Sequence, residues 1–146
     1  MPLTALRNKK FFTVDEANAR VPLLRSILRD VTELSLELKQ SHQRLIQLQT
    51  SGQLDADQER ELARVLKEMD AGQLRMDGYV RELAQLGAVL KDDFMGLVDF
   101  PAQHDGRDVC LCYKLGEPEI AFWHETDAGY GGRHPIKTTS GKRGIR

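Results

Sequence analysis

Cysteine is nearly absent: Cys110 and Cys112 are the only two in 146 residues. Set two apart on a strand, their side chains would run parallel about 6.6–7 Å apart, which excludes a disulfide between them. The second, well-spaced Cys or His pair that completes a structural zinc site is missing as well, so no metal is assigned. Net charge is also lacking. Lys and Arg number 21 against 22 Asp and Glu, for a net charge of −1, which excludes a histone-like chain that wraps nucleic acid. No run approaches the ~20 consecutive apolar residues of a transmembrane span. The opening Met1-Pro-Leu-Thr-Ala-Leu-Arg7 holds no apolar core of signal-peptide length, so a cytoplasmic protein is expected. Neither the P-loop spacing nor a G-x-G-x-x-G after a strand occurs. With no recognisable nucleophile and no complete metal-ligand set, the sequence names no reaction and no cofactor.

What is present describes a soluble globular domain with a modest core, 40% apolar and 29% charged. The charge is uneven: residues 1–12 carry +3, residues 13–90 carry −3, residues 91–127 carry −6 and residues 128–146 carry +5. A single domain over 1–136 is expected, followed by a basic tail, 137–146, that is short of apolar anchors and reads as mobile.

Thr13-Val-Asp-Glu16 has the form of a capping box, so a helix should open at Thr13. Pro22 lacks an N–H and interrupts it, which predicts a short helix over about 14–20 and a new or kinked one from Pro22. Heptads follow. Leu24, Ile27, Val31, Leu34, Leu38, Ser41, Leu45 and Leu48 occupy successive a and d positions, and all but Ser41 are apolar. Turn-forming residues at 49–57 break the run. Leu62, Val65, Met69, Gly72, Met76, Tyr79, Leu83, Leu86 and Leu90 then form a second stripe, interrupted only by Gly72. Two helices of roughly 40–50 Å joined by a short connection make an antiparallel, coiled-coil-like hairpin over 13–90. Leu23, Leu28, Leu36, Leu66 and Val80 lie off the seam. They suggest a dimeric four-helix bundle, unless the first helix and the later segment absorb them.

After Leu90 the period changes from 3.6 to 2. Strands are expected at 96–100, 108–113 and 119–124, with turns at 101–107 and 114–118, giving a three-stranded antiparallel meander. Residues 127–135 hold three glycines in four positions, too many for regular structure. The fold class is α+β, a helical hairpin followed by a small β segment over 91–136.

That second half carries Lys91-Asp92 leading into Gly96-Leu-Val-Asp-Phe-Pro101, then Gly106-Arg107, Leu111-Cys-Tyr-Lys-Leu-Gly-Glu117, Trp123-His124-Glu125, and Gly129-Tyr130-Gly-Gly-Arg133 with Pro135-Ile136. Together with Phe12-Thr13, Glu16-Ala17-Asn18 and Pro22, these residues resemble domain-of-unknown-function family 2203, short uncharacterised prokaryotic proteins. The resemblance spans about residues 11–136. It implies a small standalone protein and transfers neither an activity nor catalytic residues.

Polar residues with candidate roles gather in the β segment. Asp99 interrupts an apolar strand on the face of Leu97, opposite Val98 and Phe100, and there requires a partner. A structural pairing with Arg107 or Arg133 is one reading, a ligand or metal role the other. Cys110 and Cys112 share a strand face. They could contribute two zinc ligands with His124 and Asp99 or His134, but buried thiols more often serve as small core hydrophobes. His124, on the face of Phe122 and Ile120, could act as a base or ligand if a carboxylate such as Asp99 oriented it. The loop Gly129-Tyr130-Gly131-Gly132-Arg133-His134 could form an anion nest with Arg133 as the donor fork, or could serve only steric needs.

A self-associating interaction protein is therefore expected, presenting a small-ligand or anion site built from Asp99, Arg107, His124, Glu125 and Arg133. One alternative is a small hydrolytic or metal-assisted enzyme using Asp99, His124 and Arg133. Another is nucleic-acid binding through Lys137, Lys142, Arg143 and Arg146, an unspecific signal with no aromatic residue to stack on bases. The mixed charge of the helices' polar faces does not suggest a membrane surface.

Overall fold

In the computed structural model, which describes residues 10–139 and 142–143, helix α1 (Val14–Asn18) opens on the capping box. The Thr13 N–H donates to Glu16 Oε1 at 2.9 Å and the Glu16 N–H to Thr13 Oγ1 at 3.1 Å. Helix α2 (Val21–Thr50) places Pro22 in its first turn, where no donor is missed. The break narrows to residues 51–55, and Asp55 with Gln58 forms a second capping box at the head of helix α3 (Ala56–Leu86).

Every heptad position on both helices is buried or half-buried. Gly72 is the interruption for a steric reason: a Cβ there would lie 2.6 Å from Leu38 Cδ2, so the Leu38 side chain occupies the space a larger residue would need. Beyond the turn of helix nearest Leu38 and Gly72 the hairpin continues as a two-helix arm. Arg44 clamps it by donating to both oxygens of Glu61 at 2.7 and 2.6 Å.

Helix α3 ends at Leu86, before the expected Leu90. Gly87 adopts φ +92, and the N–H groups of Gly87 and Ala88 close on Ala84 O and Leu83 O. A Cβ on Gly87 would meet the Phe12 ring at 2.2 Å. Leu90 instead belongs to strand β1 (Val89–Asp92) and faces the same core from the sheet. Its four-residue spacing from Leu86 imitates a heptad step.

Strands β2 (Leu97–His104), β3 (Arg107–Lys114), β4 (Phe122–Glu125) and β5 (His134–Pro135) complete an antiparallel sheet of order β1-β2-β3-β4-β5, five strands where three were expected. The first turn tightens to Asp105-Gly106, both at positive φ, the two-residue hairpin that Asp-Gly favours. Pro101, expected in that turn, lies within β2. Its carbonyl accepts from the Phe12 N–H at 2.8 Å on the side away from β3, so its missing N–H costs no ladder bond to β3. Ile120, expected in a strand, pairs its N–H and C=O with the Asn18 side chain at 2.7 and 3.4 Å, and β4 begins two residues later. The glycine-rich loop is more regular than expected, with a 3-10 turn over Tyr130–Gly132 leading into β5. Thr138–Thr139 and Lys142–Arg143 (β6 and β7) form a separate two-residue ladder. The rest of the basic tail lies outside the described residues.

One sheet face carries Val98, Phe100, Ala102, Val109, Leu111 and Tyr113. It packs on Leu24, Leu28, Val31 and Leu83 at the root of the hairpin, with Phe12 edge-on to Phe100 at 5.1 Å. Of the off-seam residues only Leu28 enters this core, while Leu23, Leu36, Leu66 and Val80 stay exposed. Replacing Gly87 by Ala should cost about 2 kcal/mol or more, combining left-handed backbone strain with the Phe12 clash. Gly52→Ala, with similar φ and open space around it, should cost about 1 kcal/mol. Urea-unfolding midpoints of the two variants test the difference.

Candidate functional site

The opposite face of the sheet would be a solvated surface in most antiparallel meanders. Here Leu97, Asp99, Cys112 and His124 on that face are buried, at 6%, 4%, 0% and 2% exposure. Residues 126–133 fold back over them. Strand pairing brings the polar groups together: Asp99 stands opposite Cys112, and His124 opposite Cys110. The face assignments made from alternation for Asp99 and the two cysteines therefore hold. Asp99 pairs with His124, and with neither Arg107 nor Arg133.

His124 Nε2 lies 3.0 Å from Asp99 Oδ1, and Nδ1 lies 2.7 Å from the Glu125 carbonyl. A carbonyl can only accept, so Nδ1 carries a hydrogen and donates to it. The Nε2–Oδ1 contact must then contain a second proton. Either an imidazolium donates to a carboxylate or a carboxylic acid donates to a neutral imidazole. In both forms the pair is neutral overall, which is how two ionisable groups are buried together at tolerable cost. Both ring nitrogens are committed, so His124 has no free nitrogen with which to accept a substrate proton.

Burial is the dominant cause that pushes the Cys112 thiol pKa up to about 12, with the nearby Asp99 raising it further. One oxygen of Asp99, one nitrogen of His124 and Cys112 Sγ all lie within 4.8 Å of one another. Asp99 and His124 form the floor of a cavity of about 410 Å³ walled by Lys91, Asp92, Met95, Leu97 and residues 126–130. Asp92 Oδ1 accepts the N–H groups of Phe94 and Met95 at 3.0 and 2.9 Å, fixing that wall.

The remaining expected site residues do not join this constellation. Arg133 Nη2 donates to Glu117 Oε1 at 2.7 Å, and its guanidinium lies over the Phe122 and Tyr130 rings at 4.1 and 4.7 Å. Arg133 Nε is the one buried side-chain nitrogen or oxygen without a partner among the described residues. Glu117 also accepts the Lys114 N–H at 2.7 Å. Glu125 pairs with His134 Nε2 at 3.3 Å, and its own backbone N–H and then His134 hold its carboxyl below the usual value. Arg107 is exposed beside the Asp105-Gly106 turn. At least one loop glycine meets a steric need, since a Cβ on Gly132 would lie 2.7 Å from Ala128 Cβ. Lys91 and Asp92 on the cavity wall, and Glu117 paired with Arg133, have no role in the sequence pattern, and Tyr130 stands there only as part of the glycine-rich loop. Nothing local in the sequence links them to Asp99.

Removing one member of the buried pair strands the other. Asp99→Ala and His124→Ala should each destabilise by about 3 kcal/mol, and the double variant by less than their sum. A double-mutant cycle in urea that returned additive losses would contradict the pairing. Cys112, a neutral thiol through neutral and mildly alkaline pH, should resist alkylation at about pH 8 in the folded chain and react fully once unfolded. Mass spectrometry of the modified peptides reads this directly.

No helix among the described residues is long and apolar enough to cross a membrane. No curated protein and no solved structure matches the chain. The model of one family, described as "Uncharacterized conserved protein (DUF2203)", matches residues 10–136, nearly all of the α+β unit and every residue of the site. The chain belongs to the DUF2203 family.

Proposed function

We propose that this protein is a binding protein whose ligand site is the cavity above Asp99 and His124, with the helical hairpin as its interaction arm. The observation that carries the reading is the proton-sharing pair itself, buried on the face of the sheet that could have been left solvated, and open only to a cavity. Ionisable groups brought together in a concavity are the usual anchors of a small-ligand site. Binding is favoured over hydrolysis with His124 as general base because both His124 nitrogens are engaged and Arg133 is turned to Glu117, away from the cavity. The wall sets the ligand class. Among the described residues Lys91 is the only Lys or Arg lining it, against Asp92 and Asp127, so a cation or a small molecule bearing both charges fits better than a simple anion. An anionic ligand would depend on Lys91.

The test is a thermal-shift panel of small amines, amino acids, carboxylates and phosphates on the full chain, in chelator. A stabilising compound whose effect is lost in Lys91→Ala or Asp127→Asn supports the site, and a flat panel overturns it.

A second observation favours self-association through the arm. Beyond Leu38 and Gly72 the arm has only its own seam to bury among the described residues, and from just before that point outward Leu36, Ile46, Leu66 and Leu74 stay between 44% and 71% exposed. Sedimentation equilibrium should give a dimer, reduced to monomer by Leu66→Glu with Leu74→Glu. A monomer at every concentration would remove this reading.

A further inference from the structure

We propose that Asp99, Cys112 and His124 bind a divalent metal ion of the zinc class, with its remaining coordination position open to the cavity. This deepens the binding reading above, since it identifies what the cavity floor holds.

Four features of the arrangement support the assignment. The first is spacing. A tetrahedral ion with bonds of about 2.0–2.3 Å places its ligand atoms roughly 3.3–3.6 Å apart. The three donor atoms here lie within 4.8 Å of one another, so any longer separation closes by at most about 1.5 Å to reach that spacing, and the Asp99–His124 contact at 3.0 Å opens slightly. The second is aim. A metal-binding imidazole is held by a hydrogen bond from its other nitrogen, and His124 Nδ1 donates to the Glu125 carbonyl at 2.7 Å, leaving Nε2 as the ligand. The third is donor chemistry. One sulfur, one imidazole nitrogen and one carboxylate oxygen suit a borderline ion, whereas calcium and magnesium require oxygen alone.

The fourth is charge. Without metal, the pair's shared proton and the Cys112 thiol leave the cluster neutral. With metal, a carboxylate, a thiolate and a neutral imidazole surround a doubly charged ion, and the cluster is again neutral. Both displaced protons pass to solvent. The buried face therefore accepts the ion without gaining an uncompensated charge. Three protein ligands and an open fourth position are the pattern of zinc sites that engage a further ligand. The cavity supplies that opening at Asp99 and His124. Other His–carboxylate contacts, His134 with Glu125 and His104 with Asp105, are less buried and bring no third ligand among the described residues.

The test uses the full, untagged chain stripped by chelator, then titrated with zinc and separately with cobalt(II). The expected result is one ion per chain and, with cobalt, the intense visible bands of a tetrahedral site together with a sulfur-to-cobalt charge-transfer band. That band should vanish in Cys112→Ser and persist in Cys110→Ser. Asp99→Asn and His124→Gln should each weaken zinc binding at least tenfold. A folded chain that takes up no zinc, or a charge-transfer band that survives Cys112→Ser, overturns the assignment. The cobalt spectrum of the unsubstituted chain keeps the test decisive if a variant does not fold. A six-coordinate spectrum without the sulfur band also overturns it. Ligand-induced thermal shifts in chelator, with no metal uptake, would remove this inference and leave the cavity reading standing. A flat ligand panel with stoichiometric zinc would do the reverse.

Discussion

A pair of helices packed along one seam leaves each helix with an open flank, and most of this fold follows from how that flank is covered. The heptad stripes of α2 and α3 hold the hairpin together, but at its root they are too narrow to exclude water alone. The inner face of the sheet supplies the missing layer. Phe12, pressed between Gly87 and Phe100, sets the angle at which the chain leaves α3 and enters the sheet. Ser35, buried on α2, donates to Asp93 at 2.7 Å and ties the turn after β1 to the same root. Farther out no third layer exists among the described residues, and the arm relies on its own seam and the Arg44–Glu61 clamp.

Covering the hairpin with one face of a sheet creates a second surface, and this chain covers that one too. The loop after β4 folds over the outer face, held by Arg133 between Phe122 and Tyr130 and by its ion pair with Glu117. The result is three layers: helices, sheet and loop. Asp99, Cys112 and His124 lie between the last two, in a medium where an unpaired charge would be costly. Their mutual pairing follows from that burial. The same loop walls the cavity, so the cover that buries the cluster also shapes an approach to it.

Much of the fold was legible in the sequence because its signals are local. Thr13 and Glu16 satisfy each other's backbone donors within one turn, Pro22 can open a helix but not continue one, and heptads bury a stripe whatever lies beside them. The signals that misled were local as well. Leu90 continued a heptad count across a helix end that Gly87 had already imposed. Ile120 looked like a strand residue until Asn18, 102 positions earlier, took both of its backbone groups. Pro101 looked like a turn residue because its tolerance in β2 depends on Phe12 meeting its free edge. The departures at Ile120 and Pro101 have their cause in a residue distant along the chain.

The site divides in the same way. Period-two alternation is a property of the strand itself, so the sequence alone determined that Asp99 leaves the core face and that Cys110 and Cys112 share a face. It determined the hairpin and the α+β order for the same reason. Which carboxylate meets which cation depends on strand register and on where a loop folds back, and residues 16 to 25 positions apart are not placed by local pattern. Only the tertiary structure decided that His124 takes Asp99 and that Glu117 takes Arg133. It also decided that the outer face is buried, because a loop and an ion pair from outside the strands supply the cover.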